Sequence, residues 1–439
     1  MLNAATERAV AVLQLSAAKS VASFLRHSTK QDCVSCHQQY LPMAAVGHAR
    51  DREVRLDNEA AQDQIELMHR LARKSDDPNF ETEYVLQAVF HPDPAHAFGY
   101  EAFALRSEKV PSGPMTDSRV HHLVTAQAAD GRWHRNSLRP PIEGDDVTAT
   151  ALAIQAIRHY GWPGRKAEFD QAMERGRKWL WAVKTETTQE AAFQLLGLHW
   201  AGVPAAKLAD LAKSLAAQQR SDGGWAQLPT LESDAYATGQ VLYALTRAAT
   251  VPTAEPRCQQ GLRYLLATQH DDGSWYVIRR AVPFQPTIRS YFPHDRDSWI
   301  SAAGTSWAVM ALTQALTPAP PVDLTKQVDF ARQVKPLLER SCIACHGPDK
   351  QRGEFQVDSR ETLLKGGSSG TPAIVPGKSG QSPLVDYVSG QIKDMEMPPF
   401  SRRSEFSSLT EKEIELLRLW IDQGANWPKE VILVPPKRP

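Results

Sequence analysis

The sequence has neither an excess of one charge nor a long apolar run. Lysine plus arginine and aspartate plus glutamate each number 50 among 439 residues, so the formal net charge is zero. Binding to a nucleic acid backbone draws on a surplus of lysine and arginine, so we predict no nucleic acid partner. No stretch approaches the roughly 20 consecutive apolar residues of a membrane-spanning helix, so we also predict no transmembrane segment.

The amino-terminal residues lack the pattern of an export signal. Glu7 and Arg8 come early, and no basic region is followed by a continuous apolar run. We interpret this segment as an amphipathic helix and expect any export signal to lie outside the printed sequence. Hydrophobic residues at 42% and charged residues at 23% indicate a globular protein, and the length predicts two or three domains.

Cysteines are few, but four of the five fall in two copies of one short pattern, CVSCH at residues 33–37 and CIACH at 342–346. C-x-x-C-H is the attachment signature of c-type haem, in which two thiols bind one porphyrin and the histidine is the proximal iron ligand. The sequence therefore predicts two covalent haem c groups. Their ligating residues would be Cys33, Cys36 and His37 for the first, and Cys342, Cys345 and His346 for the second.

Other uses of a C-x-x-C pair are a zinc half-site, a redox dithiol or a disulfide. A thioredoxin-like dithiol favours a βαβ context, which neither copy has. A zinc site built from both pairs would bring together residues about 300 positions apart. The remaining cysteine, Cys258, lies in a helical pattern and is predicted to be a small buried hydrophobic residue.

The carboxyl-terminal part is predicted to be a separate domain at 323–430, after a proline-rich linker at 317–322 and before a tail at 431–439. We predict helices at 328–346, 384–390 and 409–425, the last with a capping box of Thr410 and Glu413. No histidine follows His346, so the sixth ligand of this haem is predicted to be Met397, in a Met-Pro-Pro turn, with Met395 as the alternative. Histidine and methionine ligation raises the reduction potential and suits electron transfer.

The segments CIACHGPDKQRGEFQVDSRETLLKGG, IVPGKSGQSPLV, MEMPP and LTEKEIELLRLWIDQGANWP follow one another between residues 342 and 428. Together they resemble the planctomycete-type cytochrome c domain. The resemblance implies a class I-like cytochrome c fold with attachment at Cys342 and Cys345 and axial ligation by His346 and Met397. Glu354 and Gln356 depart from the expected pattern.

The preceding part contains a repeat. Q-x-x-D-G-x-W occurs at 127–133, 219–225 and 269–275, and the spacing leaves room for a degenerate copy near 184–190. Each copy follows one amphipathic helix and precedes another that is rich in small residues. We predict that the glutamine caps the helix end, Asp-Gly makes a turn with positive φ, and the tryptophan packs under the next helix.

These segments resemble the QW repeats of squalene–hopene cyclases and prenyltransferases, which implies an α/α toroid. The predicted fold is mainly α, an (α/α)6 toroid over 1–316 followed by the small cytochrome c domain. Predicted outer helices are 8–31, 57–74, 117–127, 167–182, 204–219 and 255–268. Predicted inner helices are 40–50, 82–106, 147–159, 188–200, 234–247 and 304–317.

Ring closure has a chemical consequence. All loops from outer to inner helices would lie at one end of the toroid. The first of these loops carries CVSCH, and the sixth, 276–303, would lie beside it because the first and sixth helix pairs are neighbours in a closed ring. His294 is therefore predicted on the distal side of the first haem, as iron ligand or proton donor, with His48 and then Met43 as alternatives. A solvated loop residue is the other interpretation of His294. Residues predicted near it are Tyr291, Arg296 and Asp297, and those predicted to hold propionates are Arg279, Arg280 and Arg289.

The leading hypothesis is a dihaem electron-transfer protein, and a haem oxidoreductase would use His294, Tyr291 and Arg296 catalytically. It implies a redox partner protein or small-molecule substrate. Because haem c is attached outside the bacterial cytoplasm, the predicted location is periplasmic or extracytoplasmic. The alternatives are a ligand-binding toroid and a terpene cyclase. The acidic segment 143–146 partly matches a cyclase acid motif, but acids there also serve as helix N-caps.

Overall fold

The computed structural model describes residues 1–27, 35–72, 93–282, 289–317, 327–390, 392, 395–399, 406, 409 and 411–434. Contacts divide the chain into two compact units, Met1–Ala319 and Pro320–Pro439, called unit 1 and unit 2 below. Both are mainly helical. In the described ranges no helix is both long and apolar enough to cross a membrane.

Unit 1 alternates outer and inner helices along the chain. Its described helices are α1 (Leu2–His27), α2 (Leu41–Arg50), α3 (Asn58–Ala72), α4 (Pro94–Ser107), α5 (Pro114–Thr125), α6 (Asp146–Tyr160), α7 (Lys166–Ala182), α8 (Thr188–Trp200), α9 (Ala209–Ala217), α10 (Ala235–Arg247), α11 (Pro256–Thr268) and α12 (Ser298–Gln314). The odd-numbered helices are outer and the even-numbered ones inner. A short hairpin pairs β1 (Trp225–Ala226) with β2 (Ser233–Asp234) in antiparallel fashion.

The inner helices form a closed ring. Each even-numbered helix from α2 to α10 packs against the next, and α12 packs back against α2. The outer helix α1 covers this last junction, since it contacts both α2 and α12. Small residues allow close approach, because a Cβ on Gly239 of α10 would lie 2.5 Å from the carbonyl carbon of Trp307 in α12. The predicted (α/α)6 toroid is confirmed.

Most predicted helix bounds agree with the structure within a few residues, and four differ. The helix α1 begins at Leu2 rather than residue 8. In the predicted helix 204–219, the segment Ala205–Leu208 is a 3-10 turn. The helix α12 begins at Ser298 rather than residue 304, because no proline interrupts 298–304 after the 3-10 turn Asp295–Asp297. The predicted helix 82–106 was wrong at its start, because Asp93 has non-helical φ and ψ of −145° and 78° and is the N-cap of α4, which begins at Pro94. Residues 82–92 lie outside the described residues.

The three Q-x-x-D-G-x-W segments each join three helices. The glutamine side chains donate from Nε2 to the next outer helix in the ring: Gln127 to the carbonyl of Ala172 (2.9 Å), Gln219 to that of Arg257 (2.8 Å) and Gln269 to that of Ala5 (2.8 Å). The indole N–H groups donate to the preceding outer helix: Trp133 to Leu123 (2.6 Å), Trp225 to Leu215 (3.1 Å) and Trp275 to Leu265 (2.8 Å). The tryptophan amides donate to threonine hydroxyls of the next inner helix, those of Thr150, Thr238 and Thr305.

The role predicted for the glutamine was therefore wrong, whereas the turn and the buried tryptophan were predicted correctly. The glutamine does not cap its own helix. The turn that follows brings its amide to a neighbouring outer helix instead, so one side chain spans two elements. The motif is a joint between consecutive helix pairs of the ring.

The third joint closes the ring, because the outer helix that it reaches is α1. Gln269 accepts a hydrogen bond from the Arg8 guanidinium (2.5 Å) in addition to its bond with Ala5. Gly273 has a φ of +90°, and a Cβ at this position would lie 2.5 Å from the carbonyl carbon of Arg8. Only glycine satisfies both the positive φ and the close approach of the two ends of unit 1. We call this junction the seam.

Unit 2 is a small helical domain. Its described helices are a π-helical turn at Phe330–Val334, α13 (Lys335–Ser341), α14 (Ile343–His346), α15 (Arg360–Lys365), α16 (Pro383–Val388) and α17 (Glu411–Asp422), with a short strand β3 (Lys350–Gln351). Phe330 packs against Trp420 and Trp427, with ring centroids 5.4 and 4.1 Å away. The predicted helix 328–346 is interrupted at Cys342, whose φ and ψ of −124° and −49° depart from helical values. Thr410 of the predicted capping box lies outside the described residues.

The substitution Gly273→Ala tests the seam. It combines an alanine at positive φ with overpacking against Arg8, so we expect a loss of about 2–4 kcal/mol in the free energy of unfolding. Urea unfolding followed by tryptophan fluorescence measures it. Gly202→Ala is the matched control, because Gly202 also has a positive φ, of +86°, but its nearest neighbour is the movable end of Arg158. Equal losses for the two variants would contradict the tight contact at the seam.

Candidate haem sites

The second C-x-x-C-H motif opens onto a cavity in unit 2. Its empty space, part of which is open to solvent, is about 1080 Å³. Cys342, Cys345, His346 and Met397 all line it. The rest of the lining is largely apolar and includes Phe355, Val357, Leu384, Val388, Pro398, Pro399, Phe406 and Leu409.

His346 is oriented by the backbone beside it. Its Nδ1 lies 3.3 Å from the carbonyl oxygen of Phe355, and the two rings are 5.2 Å apart. This contact selects the tautomer protonated at Nδ1 and leaves Nε2 as an electron-pair donor. Burial lowers the pKa of His346, which keeps the imidazole neutral at neutral pH. A neutral imidazole with a fixed tautomer is what a haem iron requires of its proximal ligand.

The two candidate methionines differ in their surroundings. Met397 is half-buried, packs against the apolar core of unit 2, and donates its amide hydrogen to the carbonyl of Tyr387 (2.9 Å). Met395 also lines the cavity but is 48% exposed. Two thiols, an imidazole and a thioether thus share one apolar cavity. This donor set fits a covalent haem with histidine and methionine ligands.

The first motif lies where α1 meets α2. Residues Cys36–Tyr40 form a π-helical turn that continues into α2, and Ser35 caps it by accepting a hydrogen bond from the amide of Gln38 (3.1 Å). The Gln39 side chain donates to the hydroxyl of Ser20 in α1 (2.8 Å), which fixes the turn to the outer helix. Cys33 lies outside the described residues, so the structure describes only Cys36 and His37 of this motif.

His37 faces the start of α12. Its ring meets that of Trp299 edge-on at 5.4 Å. Burial, and to a smaller extent the charge of Arg139, lower the pKa of His37 to about 3, so the imidazole is neutral at any physiological pH. Cys36 is 5% exposed, and neither polar atom of the buried Gln38 amide has a hydrogen-bond partner among the described residues. A half-buried neutral imidazole, a buried thiol and this amide fit one side of a haem site.

The sixth loop approaches the first motif at two places in the described residues. The amide of Arg289 donates to the hydroxyl of Ser23 in α1 (2.9 Å), and Trp299, just beyond the loop, contacts His37. His294 has a φ of +79°, and its Nε2 lies 2.8 Å from the hydroxyl of Ser274. Its ring packs near those of His270, Tyr276 and Phe292, at 4.9, 5.5 and 6.4 Å.

The other residues predicted near the first haem are either exposed or hydrogen-bonded to other residues of unit 1. Tyr291 is 51% exposed, and Arg296 is exposed. Asp297 accepts hydrogen bonds from the Tyr276 hydroxyl (3.0 Å) and the Arg279 amide (3.1 Å). Arg280 is half-buried, with a guanidinium nitrogen 3.5 Å from the side-chain oxygen of Gln227. The roles of His294, Tyr291, Arg296 and the arginines toward the first haem stay predictions.

His48, the alternative ligand for the first haem iron, lies too far from His37. It lies eleven residues beyond His37 along the π-helical turn and α2, roughly 16 Å away at about 1.5 Å per residue. Its Nε2 is 3.1 Å from the hydroxyl of Tyr243 in α10. His48 therefore belongs to the opposite end of the ring and cannot reach an iron held by His37.

The acidic segment before α6 is occupied by structural contacts. Asp145 is the N-cap, accepting from the amide of Thr148 (2.6 Å). Asp146 accepts from the amide of Arg135 (2.9 Å), and Glu143 forms an ion pair with Arg139. These carboxylates act as the N-caps and pairing groups that the simpler interpretation predicts.

Sequence reasoning missed Trp299, whose ring meets that of His37, and Arg139, whose charge lowers the pKa of His37. Trp299 was assigned to the loop because α12 was predicted to begin too late. A correct start for α12 would have placed Trp299 in the first turn of the sixth inner helix. That turn lies next to the first helix pair, α1 and α2, because the ring is closed. Arg139 lies in an irregular loop, and no periodic pattern in the sequence indicates where it points.

Comparison with known families gives a match within unit 2. Residues 342–401 match the family described as Planctomycete cytochrome C. This match, the helical fold and the cavity agree: unit 2 contains a cytochrome c domain, which implies at least one covalent haem c and a redox partner. A comparison with curated protein sequences finds no match.

Solved structures with some likeness to unit 1 include glycosidases. One glycosidase is 14% identical, with a TM-score of 0.41 over 70% of this chain and 98% of its own. A possible member of the GH105 family from Salmonella enterica is 11% identical, with a TM-score of 0.43 over 69% and 93%. A protein from Actinoplanes is 18% identical, with a TM-score of 0.41 over 69% and 100%. The predicted resemblance of the toroid to squalene–hopene cyclases finds no support among these structures.

Proposed function

We propose that the protein is a dihaem c-type cytochrome that transfers electrons between a substrate or partner at the toroid and an external acceptor. The observation that carries the proposal is the cavity of unit 2, where two thiols, His346 and Met397 come together. The second haem would be held by Cys342, Cys345, His346 and Met397, and it would supply one-electron exchange. In this proposal the Met397 thioether favours the reduced state and raises the reduction potential.

The chain's own contribution in unit 2 is orientation and exclusion of water. The Phe355 carbonyl holds the His346 ring, so the Nε2 lone pair is presented without rearrangement. The apolar lining lowers the local dielectric constant, which is a further way in which a protein raises the potential of a bound haem.

The first haem is proposed where α1, α2 and the start of α12 meet, on Cys33, Cys36 and His37. Support comes from the neutral, half-buried imidazole of His37, from the buried Cys36 thiol and from the Gln38 amide, which has no hydrogen-bond partner among the described residues. In this proposal Trp299 packs against the proximal histidine. Attachment of haem c places the protein in the periplasm or another extracytoplasmic compartment, with a redox partner protein or a small molecule as electron donor or acceptor.

His294 is proposed as the distal group, with Tyr291 and Arg296 at the mouth of the site. Its support is position: His294 lies five residues before Trp299, which touches His37. As an iron ligand, its Nε2 would give up the contact with Ser274. An oxidoreductase would need this sixth position to open to substrate, whereas a pure electron carrier, or a toroid that only binds a ligand, would keep it closed.

Haem stoichiometry tests the proposal. We expect two haems per chain by pyridine haemochrome assay, and two reduction waves in a redox titration. Cys36→Ala should remove one haem and one reduction wave, because the single thioether left at Cys33 does not hold the first haem. The matched control is Cys258→Ala, since Cys258 is also a buried cysteine of unit 1, at 1% exposure. One haem per chain in the wild type would contradict the dihaem proposal. Two haems and two reduction waves in the Cys36→Ala variant would contradict the placement of a haem on the first motif.

The role of His294 has its own test. If His294 is the distal ligand, His294→Ala should convert the first haem from low spin to high spin in the electron paramagnetic resonance spectrum and allow it to bind carbon monoxide. His270→Ala is the matched control, because this histidine is exposed and its ring lies 4.9 Å from that of His294. An unchanged spectrum in His294→Ala would remove His294 from the iron and leave the dihaem proposal intact.

A further inference from the structure

Basic side chains gather at the end of the toroid opposite to His37. The inner helices all run in the same direction, because each outer helix returns the chain, so their carboxyl ends meet at one end of the ring. Five of the six described inner helices have a basic residue in the last turn, and only α12 has none. These residues are His48 and Arg50 in α2, Arg106 in α4, Arg158 and His159 in α6, His199 in α8 and Arg247 in α10.

At this end of the toroid, side chains from inner helices that are not neighbours in the ring contact one another. The Tyr243 hydroxyl of α10 lies 3.1 Å from Nε2 of His48 in α2, although α12 separates these helices around the ring. The Phe103 ring is 6.0–6.2 Å from those of Trp200, Tyr243 and Trp307. This aromatic cluster fills the axis of the ring beside the bases. The basic residues therefore surround the axis rather than pointing away from it.

Few carboxylates balance this charge. Glu108 pairs with Arg50 (3.1 Å) and Asp51 with Lys109 (2.6 Å), and the Asp51 charge also acts on Arg52. Within the described ranges, Arg52, Arg106, Arg158 and Arg247 form no ion pair. Burial lowers the pKa of Arg106, and the charges of Arg247 and Arg158 lower it further against the opposing effect of Tyr243. The geometry agrees for two of these arginines: the Phe103 and Tyr243 rings meet across the ring at 6.2 Å, and Arg106 and Arg247 follow them by about one helical turn in α4 and α10.

Helix dipoles account for part of the pattern. The carboxyl end of each inner helix carries partial negative charge, which favours a base in the last turn. This local effect acts on each helix separately and decays within a turn. It does not explain why Arg106 and Arg247, on opposite sides of the ring, approach the same axis without an intervening carboxylate.

We propose that this end of the toroid is a binding site for a small, multiply charged oxyanion carrying phosphate or carboxylate groups. Arg106, Arg158 and Arg247 would bind its oxygens, since the guanidinium fork matches phosphate and carboxylate in bidentate geometry. Arg52 would complete the charge balance at the edge of the ring. The aromatic cluster forms the floor of the site. The proposal depends on neither haem.

Titration calorimetry of the full-length holoprotein with inorganic phosphate tests this site, with ionic strength held constant by sodium chloride. We expect saturable binding, weakened about tenfold or more by Arg247→Gln, Arg158→Gln or Arg106→Gln, because each removes charged hydrogen bonds. Arg158 and Arg247 are exposed, so their variants should fold, and circular dichroism with haem absorbance verifies this. The matched control is Arg177→Gln on the outer helix α7, where Arg177 pairs with Glu174 (2.6 Å), and it should bind phosphate as the wild type does.

A second arm with citrate distinguishes a carboxylate site from a phosphate site, and binding of either one supports the proposal if the same arginines control it. Absence of binding beyond the sodium chloride reference overturns it. Equal affinities of the wild type and the three folded arginine variants also overturn it, because the anion would then bind elsewhere.

Discussion

Unit 1 depends on one junction, where the last repeat joint meets the first helix of the chain. Gln269 bonds to the carbonyl of Ala5 and accepts from Arg8, while Gly273 brings its backbone against the same helix. The same kind of joint links consecutive outer helices elsewhere in the ring, but here it joins residues more than 260 positions apart. The joint holds α1 over the packing of α12 against α2, and Trp299 in the first turn of α12 contacts His37.

The parallel direction of the inner helices gives the two ends of the toroid different chemistry. Their amino ends meet where CVSCH and the sixth loop lie, and N-cap carboxylates such as Asp145 and Asp234 are found there. Their carboxyl ends meet at the arginines around Tyr243 and His48. Between the ends, the aromatic cluster around Phe103 and Trp307 closes the axis. The arrangement would separate the proposed haem site from the proposed anion site within one fold.

Local motifs were predictable from the sequence, and contacts between distant elements mostly were not. The sequence could name four residues that line the cavity of unit 2, because Cys342, Cys345 and His346 have the spacing of a haem attachment motif and Met397 stands in a Met-Pro-Pro turn. The six helix pairs followed from hydrophobic periodicity and from the repeated turn. These are properties of short segments, which the chain expresses independently of its tertiary contacts.

The predictions that were wrong mostly depend on contacts between elements that are far apart in the sequence. The glutamine of the repeat was assigned to its own helix because its true partner, the next outer helix, lies about 40 residues away in the first two joints. His48 was kept as a possible iron ligand because sequence distance alone does not show that α2 carries it to the other end of the ring. The late predicted start of α12 hid Trp299, since nothing in the local pattern distinguishes the end of a loop from the first turn of a buried helix.

The central claim is that a haem is covalently bound at the first motif, where α1, α2 and the start of α12 meet. Peptide mass mapping of the denatured holoprotein tests it most directly. The account predicts that the peptide containing residues 33–37 carries the mass of one haem, as does the peptide containing residues 342–346. Haem mass on the second peptide alone, with unmodified thiols at Cys33 and Cys36, would contradict it.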